Sequence, residues 1–589
     1  MSAQLRQLAV ENVGTEGLNT EISAFQQALE FALRADNCVI DRVGRLASRE
    51  AFSDHVSEHD LPLEDGESWD IVRLSTLEID YDPSPTPFGL VRDPRSQYNV
   101  GKYTEAEYNG ISNVDSDPNT TLCIVGIGKT AVGGTKATKY GAARYSIDQY
   151  TGTGSEFVAF DRYIGAVMQG GKLSAIPAIA PEHGVTEAQL VPFKDEIYIF
   201  SKDDPVQVYD RDAVYYLHDH PDYVPPQDDN GIIADEINGD IACAAYGRLW
   251  VTGVNDNYDT IYYSDLLQPH RWYDGTAQPE DNFNTAGIID VREYWPNGND
   301  RIKGIAAHNG FLIVFGRQSI LIYSGVQGDP AGENGLKLQD AIRDVGLVNQ
   351  DAMCNIGTDH LFVDSLGVRS LGRVIQEKSS PIGEPSLNVA TVIREKIADA
   401  RDIVRLMHLP SKSKAICVFP STRDAYCFQL GQPSSTGGLR VTRWTGCDFW
   451  DSCTYRSDYK DRELLAGRDG RGVLIYNGYT QPSKYTMSYE STVLMSGQSL
   501  MQSIIPKTMV YSYHSNQEGL SAKWGFGSNE LEYMRNAKWT TGQTEFKTTK
   551  VNTSGSGEML RVGFDVQIQG EEFAMQQISV NALVGRVIV

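Results

Sequence analysis

Two histidine pairs have spacings that chemistry could use. His55 and His59, in HVSEH, stand four residues apart, which on a helix aims two imidazoles at one metal ion. No third ligand follows them, and the segment around them is acidic. His218 and His220, in LHDHPD, alternate as residues on one face of a strand do. Either pair could bind a metal in isolation, but exposed histidine is the commoner reason for such spacing, so no metal ligand is expected. The run GIGKTAVGGTK (126–136) superficially resembles a phosphate loop. The GxxxxGK[ST] spacing fails, because Gly128 precedes Lys129 and Thr130 while position 123 is Cys, not Gly. DDNG (228–231) matches part of a calcium loop without its alternating Asp/Asn ligands or terminal Glu. The eight cysteines form no CxxC pair, and Cys417 and Cys427 sit in strand-like runs where buried thiols are expected. No GxSxG, no HExxH and no cysteine nucleophile with a local partner occurs. The carboxylates are too numerous for a glycosidase pair to be singled out. These readings predict no catalytic residue, no cofactor and no metal, and a protein that is not an enzyme.

The elements that would position any site are β-strands. Residues 248–325 contain two hairpins of one design, an apolar strand, a polar turn and a second strand rich in Ile and Tyr: 249–252 with 260–264, and 311–315 with 320–323. Such a hairpin cannot bury both faces alone, but an array of them closed into a ring, a β-propeller, can. Weaker or equal copies occur at 157–176, 190–210, 355–371, 413–430 and 464–478, which predicts five to seven blades. Their turns (KDDP, NDNYD, GRQS, DSLG, STRD, RDGRG) are made of residues that tolerate tight reversal.

At 589 residues the chain is too long for one core. Its fold class is expected to be mainly β: a β-propeller-like array of hairpin blades, an insertion domain and a C-terminal β-sandwich or jelly-roll-like domain. Residues 1–53 read as an N-terminal segment of short strands plus a helix capped by Thr20, with Ile22, Phe25, Leu29 and Leu33 at helical spacing. Residues 54–155 read as an acidic, Gly/Ser/Tyr-rich insertion. Residues 156–484 read as the propeller, interrupted by a helix at 391–408. Residues 485–589 read as a separate β domain of alternating strands. A net charge of −25 argues against ordinary nucleic-acid binding, which needs a basic surface. Two acidic runs, 54–82 and 203–240, read as solvated loops or as the walls of a channel. The N-terminus lacks the apolar stretch of a signal peptide, and no run approaches the length of a membrane helix, so a soluble product of a cytosol is expected.

Several segments, in order, resemble the tail nozzle proteins of short-tailed bacteriophages (podoviruses), also called tail tubular protein B. They are GLNTEIS (17–23), NCVIDRVGRLASR (37–49), RLWVTG through TIYYSDLLQPHRWY (248–273), IIDV (288–291), IKGIAAHNGFLIVFGRQSILIYSG (302–325), RDVGLVNQDAMCNIGTDHLFVDSLGVRSL (343–371) and LRVGFDVQIQGEEFAMQQISVNALVGRVI (560–588). The resemblance covers about two-thirds of the chain and is a pattern of hairpins; 54–155 and 374–412 match nothing in it. It implies a structural virion protein made in the host bacterial cytoplasm and assembled at the distal end of the tail. A hexameric ring would bind the tail adaptor protein (tail tubular protein A) above, through a platform formed by 1–53 and 485–589, and carry tail fibres or other appendages, with 54–155 a candidate tip or fibre-contact domain. Double-stranded DNA would leave through an acidic lumen without specific binding. The alternatives are a propeller-containing polysaccharide hydrolase or lyase of a phage tail, and a monomeric propeller scaffold.

Overall fold

The computed structural model describes residues 4–56, 69–78, 121–130, 155–161, 173–175, 189–273, 286–326 and 336–586, apart from short stretches within these ranges. The fold is mainly β, in many small antiparallel sheets. Seven of them follow one another around a ring. Blade 1 is Trp69–Glu78, Thr121–Thr130, Ser155–Asp161 and Leu173–Ala175. Blade 2 is Gln189–Phe193, Glu196–Phe200, Gln207–Tyr209 and Val214–Tyr216, and blade 3 is Ile241–Ala245, Arg248–Thr252, Thr260–Tyr263 and Gly287–Asp290. Blade 4 is Ile302–His308, Phe311–Gly316, Ser319–Ser324 and Lys337–Arg343. Blade 5 has three strands, Met353–Asn355, His360–Asp364 and Gly367–Ser370, backed by helices α1 (Leu371–Glu377) and α2 (Ala390–Ala400). Blade 6 is Arg405–Leu409, Lys414–Phe419, Asp424–Pro433 and Leu439–Thr445. Blade 7 is Ser452–Ser457, Lys460–Ala466 and Val473–Tyr476, completed by Phe52–Val56 from the start of the chain.

The first strand of each blade touches the first strand, or the turn leading into it, of the next, and blade 7 returns to blade 1. The ring is therefore closed, and the Phe52–Val56 strand clasps chain beginning to propeller end. Blade strands are buried on both faces, which explains runs such as FLIVFG that do not alternate with polar residues. In blade 3, Leu249, Val251 and Tyr262 enter a core shared with blade 2, while Trp250, Ile261 and Tyr263 enter one shared with blade 4. In blade 6, Leu406, Cys417 and Phe428 face blades 4 and 5, and Met407, Ile416 and Cys427 face blade 7. Each fully buried Leu, Ile or Phe contributes about 1.5–3 kcal/mol, so the ring is held mainly between blades.

Both chain ends meet in a two-sheet sandwich. In one sheet Gln4–Val10 runs antiparallel to the last strand, Ala574–Arg586, with Gln4 opposite Val584 and Val10 opposite Ile578. In the other, Phe31–Asp36 lies between Leu439–Thr445 of blade 6 and Tyr485–Ser491, followed by Leu560–Ile568 and Leu520–Phe526. Tyr511, Tyr513, Ile578 and Val580 pack across to Tyr489, Trp524, Val562 and Phe564. The join to blade 6 is fixed at Asn37, whose φ of 56° reverses the chain direction. Its amide donates to Thr445 Oγ1 (2.9 Å) and Thr486 O (2.8 Å), and its oxygen accepts from Thr445 N (3.1 Å) and Arg49 Nε (3.1 Å). Gly17 (φ 83°) lies so close to blade 6 that a Cβ there would meet Val441 O at 2.6 Å.

Several expectations need correction. No helix starts at Thr20: Asn19 Oδ1 accepts from the backbone of Glu21 (3.0 Å) and Ile22 (3.3 Å), and Thr20 N donates to Asn388 O (2.9 Å), so the segment is pinned as turns. Ile22, Phe25 and Leu29 are then 38–41% exposed rather than packed. The helix at 391–408 is shorter, because Arg405–Leu409 alternates into two cores as the inner strand of blade 6. The boundary at 155/156 is crossed by blade 1, whose inner strands come from the expected insertion and whose outer strands come from the expected propeller. Residues 485–589 are not separate either, since Phe31–Asp36 makes their sheet continuous with blade 6. The tip within 54–155 otherwise lies outside the described residues.

Candidate functional site

The inner strands enclose a cavity of about 530 Å³, adjoined by a second of about 310 Å³ that shares Asp351, Met353, Cys354 and Asp451. An inner strand presents an unpaired row of backbone groups to this shaft, and buried groups of that kind need partners. Side chains of neighbouring blades provide them. Gln189 Oε1 of blade 2 accepts from Ala242 N of blade 3 (3.0 Å). Gln350, leading into blade 5, accepts from Ile305 N of blade 4 (2.9 Å) and donates to Ile305 O (3.1 Å). Asp451 Oδ2, leading into blade 7, accepts from Leu74 N of blade 1 (2.9 Å). Asp351 pairs with Arg405 of blade 6, whose guanidinium lies 5.5 Å from the Trp450 ring centre. The shaft is thus stitched blade to blade, and Asp351 and Asp451 are the two carboxylates among its described lining residues.

His360 lies on the same wall, edge-on to His308 at 5.2 Å between ring centres. Its Nε2–H donates to Ala307 O (3.2 Å). Burial, and next the neighbouring His308, lower its pKa, so it is a neutral donor at pH 7. Burial pushes the lining thiols Cys243 and Cys354 up to about 12, which excludes either as a thiolate nucleophile near neutrality. Cys417 and Cys427 are buried free thiols.

The histidines read from the sequence are arranged differently from expectation. Leu217–Asp219 is a 3₁₀ turn, so His218 and His220 do not share a strand face. His218 stacks on Tyr216 and faces Asp219 (3.7 Å) and Glu236 (3.6 Å). His220 stacks on His270, with ring centres 4.5 Å apart, beside Asp222. These three residues are the one group among the described residues whose ligand atoms lie within 4.8 Å of one another. His270 is fifty residues from His220 in sequence and is brought there by the pairing of Val224 with Arg271, which local spacing cannot reveal. His55 lies in the strand Phe52–Val56, not on a helix, and His59 is outside the described residues. Gly126–Thr130 of the phosphate-loop-like run belong to the strand Thr121–Thr130, and Asp228 and Gly231 of DDNG pair across a two-stranded ladder.

No protein-family model and no curated protein matches the chain. Among solved structures it is similar to the exo-β-1,3-galactanase of Phanerochaete chrysosporium with galactose: 10% identity, 67% of this chain and 95% of that one, TM-score 0.24. A single-substitution variant of the same enzyme with β-1,3-galactotriose gives 12% identity, the same coverage and TM-score 0.24. The extracellular domain of a putative one-component system from B. thetaiotaomicron gives 10% identity, 94% of this chain and 62% of that one, TM-score 0.37. The matched galactanases are enzymes, which contradicts the expectation that this protein is not one, while TM-scores this low transfer no activity to it.

Proposed function

We propose that the chain is a subunit of the nozzle of a short phage tail, a ring through which the genome leaves and to which fibres attach. One observation carries this reading. The two ends that resemble the nozzle family, 17–49 and 560–588, are far apart in sequence yet build one sandwich, one sheet of which continues into blade 6 of the propeller. That sandwich is the platform that would meet the tail adaptor protein, and the propeller is a strut beside the lumen. Ile22, Phe25 and Leu29, exposed on the N-terminal segment, suit burial against a neighbouring subunit or the adaptor. Six copies of a chain with net charge −25 would line the lumen with repulsion for phosphate, so DNA would slide without adhering. Cosedimentation with the adaptor ring tests the proposal: the intact chain should travel with the ring, and a chain lacking residues 1–13 should not. A chain that never travels with the adaptor would overturn it.

A second reading, action on a polysaccharide, is favoured by one feature, the placing of Asp351 and Asp451 around one shaft cavity. A glycosidase works with two carboxylates across the scissile bond. Turnover of a capsular or exopolysaccharide that is lost in both Asp351→Asn and Asp451→Asn would establish it. Turnover that survives both would place the chemistry elsewhere.

A further inference from the structure

We propose that His220, Asp222 and His270 bind one first-row divalent transition-metal ion, Zn²⁺ being the type case. Two imidazoles and one carboxylate make a donor set that suits Zn²⁺ and its neighbours better than Ca²⁺ or Mg²⁺, which prefer oxygen throughout. The ligand atoms of the three residues already lie within 4.8 Å of one another. Three protein ligands leave a fourth position for water or for a group from an adjoining molecule.

The backbone around the ligands is prepared for this. His220 caps the 3₁₀ turn, its N–H donating to Leu217 O (3.1 Å), and Pro221 follows it. His270 follows Pro269, and both prolines restrict the chain beside a ligand. The two loops are joined by Val224 N to His270 O (3.1 Å) and Trp272 N to Val224 O (2.9 Å), with Trp272 buried as an anchor. Backbone freedom that metal binding would otherwise remove is therefore already lost. What remains to move is soft. The stacked rings, 22° from parallel, turn about χ2 until their lone pairs converge. Among the described residues the bond at stake is the contact of Asp222 N–H with His220 Nδ1 (3.2 Å), which a metal at Nδ1 replaces. The ion would clamp the loop after blade 2 to the loop within blade 3, a position independent of the shaft and of the nozzle reading.

Equilibrium dialysis of the chelator-treated full chain against Zn²⁺, with excess Mg²⁺ present and metal measured by mass spectrometry, tests the site. Wild type should retain one ion more than His220→Ala or His270→Ala, and Asp222→Asn should weaken that ion at least tenfold. His218→Ala, whose ring stacks on Tyr216 and faces Asp219 and Glu236, should retain it. Co²⁺ loading gives a second readout: the intense visible absorption of a four-coordinate site should appear in wild type and be lost in His220→Ala, whose thermal unfolding, measured alongside, should stay cooperative because the ring is only partly buried. Metal content equal in wild type, His220→Ala and His270→Ala would overturn the proposal and mean surface binding only.

Discussion

Replacing Arg369 with methionine should cost about 3–5 kcal/mol, although the two side chains have similar volume. The Arg369 side chain is fully buried and pairs through Nε with Asp364 Oδ2 and through Nη1 with Glu384 Oε1. Asp364 is 3% exposed, and its other oxygen accepts from Leu366 N (2.8 Å) and Gly367 N (2.9 Å), which shapes the blade 5 hairpin. Burial raises the pKa of Asp364 and the guanidinium opposes that rise. Arg369→Met leaves a carboxylate buried without its countercharge, and it raises that pKa further. A carboxyl whose folded pKa exceeds its unfolded value of 3.8 destabilises the fold while ionised and regains stability when it is protonated. The deficit of the variant against wild type should therefore narrow as pH falls from neutrality through the variant's raised folded pKa. Arg369→Met/Asp364→Asn, with both charges gone, should lose less than Arg369→Met alone. Urea unfolding followed by tryptophan fluorescence measures all three. A deficit under about 1 kcal/mol, or one that is unchanged across that pH range and additive with Asp364→Asn, would refute the reasoning.

Asn37→Ala should lose about 3–5 kcal/mol, because it removes four hydrogen bonds and leaves a Cβ residue at φ 56°. Asn37→Gly removes the same bonds but accepts that φ, so thermal unfolding should find it about 1 kcal/mol less damaging. Gly17→Ala should loosen the join between blade 6 and the sandwich, seen as faster amide exchange in 439–445, since its Cβ has no room against Val441 O. His360 and His408 are neutral in the fold, with pKa values lowered chiefly by burial. As pH falls below their unfolded value of about 6.5, the unfolded chain takes protons that the fold refuses. Stability that is full above that value should decline down to the lowered folded value, and His360→Gln should flatten the slope in a urea titration.

Much of the ring was legible because a blade strand is buried on both faces and so reads as an unbroken apolar run. FLIVFG, SILIYS and KAICVF are such runs, and their turns contain residues that reverse easily. The inner strands were harder to see: IACAA and RLMHL face the shaft with small or polar residues, and RLMHL resembles the end of a helix. Blade 1 was read only in its outer pair of strands, as the weak copy at 157–176, because its four strands span more than a hundred residues, from Trp69 to Ala175. The Ile22, Phe25 and Leu29 spacing misled in the opposite direction: apolar residues at helical intervals imply a helix only where a core covers them. Neither the shaft stitching nor the His220–His270 pair has any local signature. Gln350 meets Ile305, and His270 meets His220, only after the blades have closed.

The nozzle account stands most directly on assembly. Light scattering of the purified chain, alone and mixed with the adaptor ring, with negative-stain images of the same samples, measures it. The account predicts a closed ring of several copies, six by resemblance to the nozzle family, formed alone or upon the adaptor. A monomer that persists at every concentration and ignores the adaptor would contradict it.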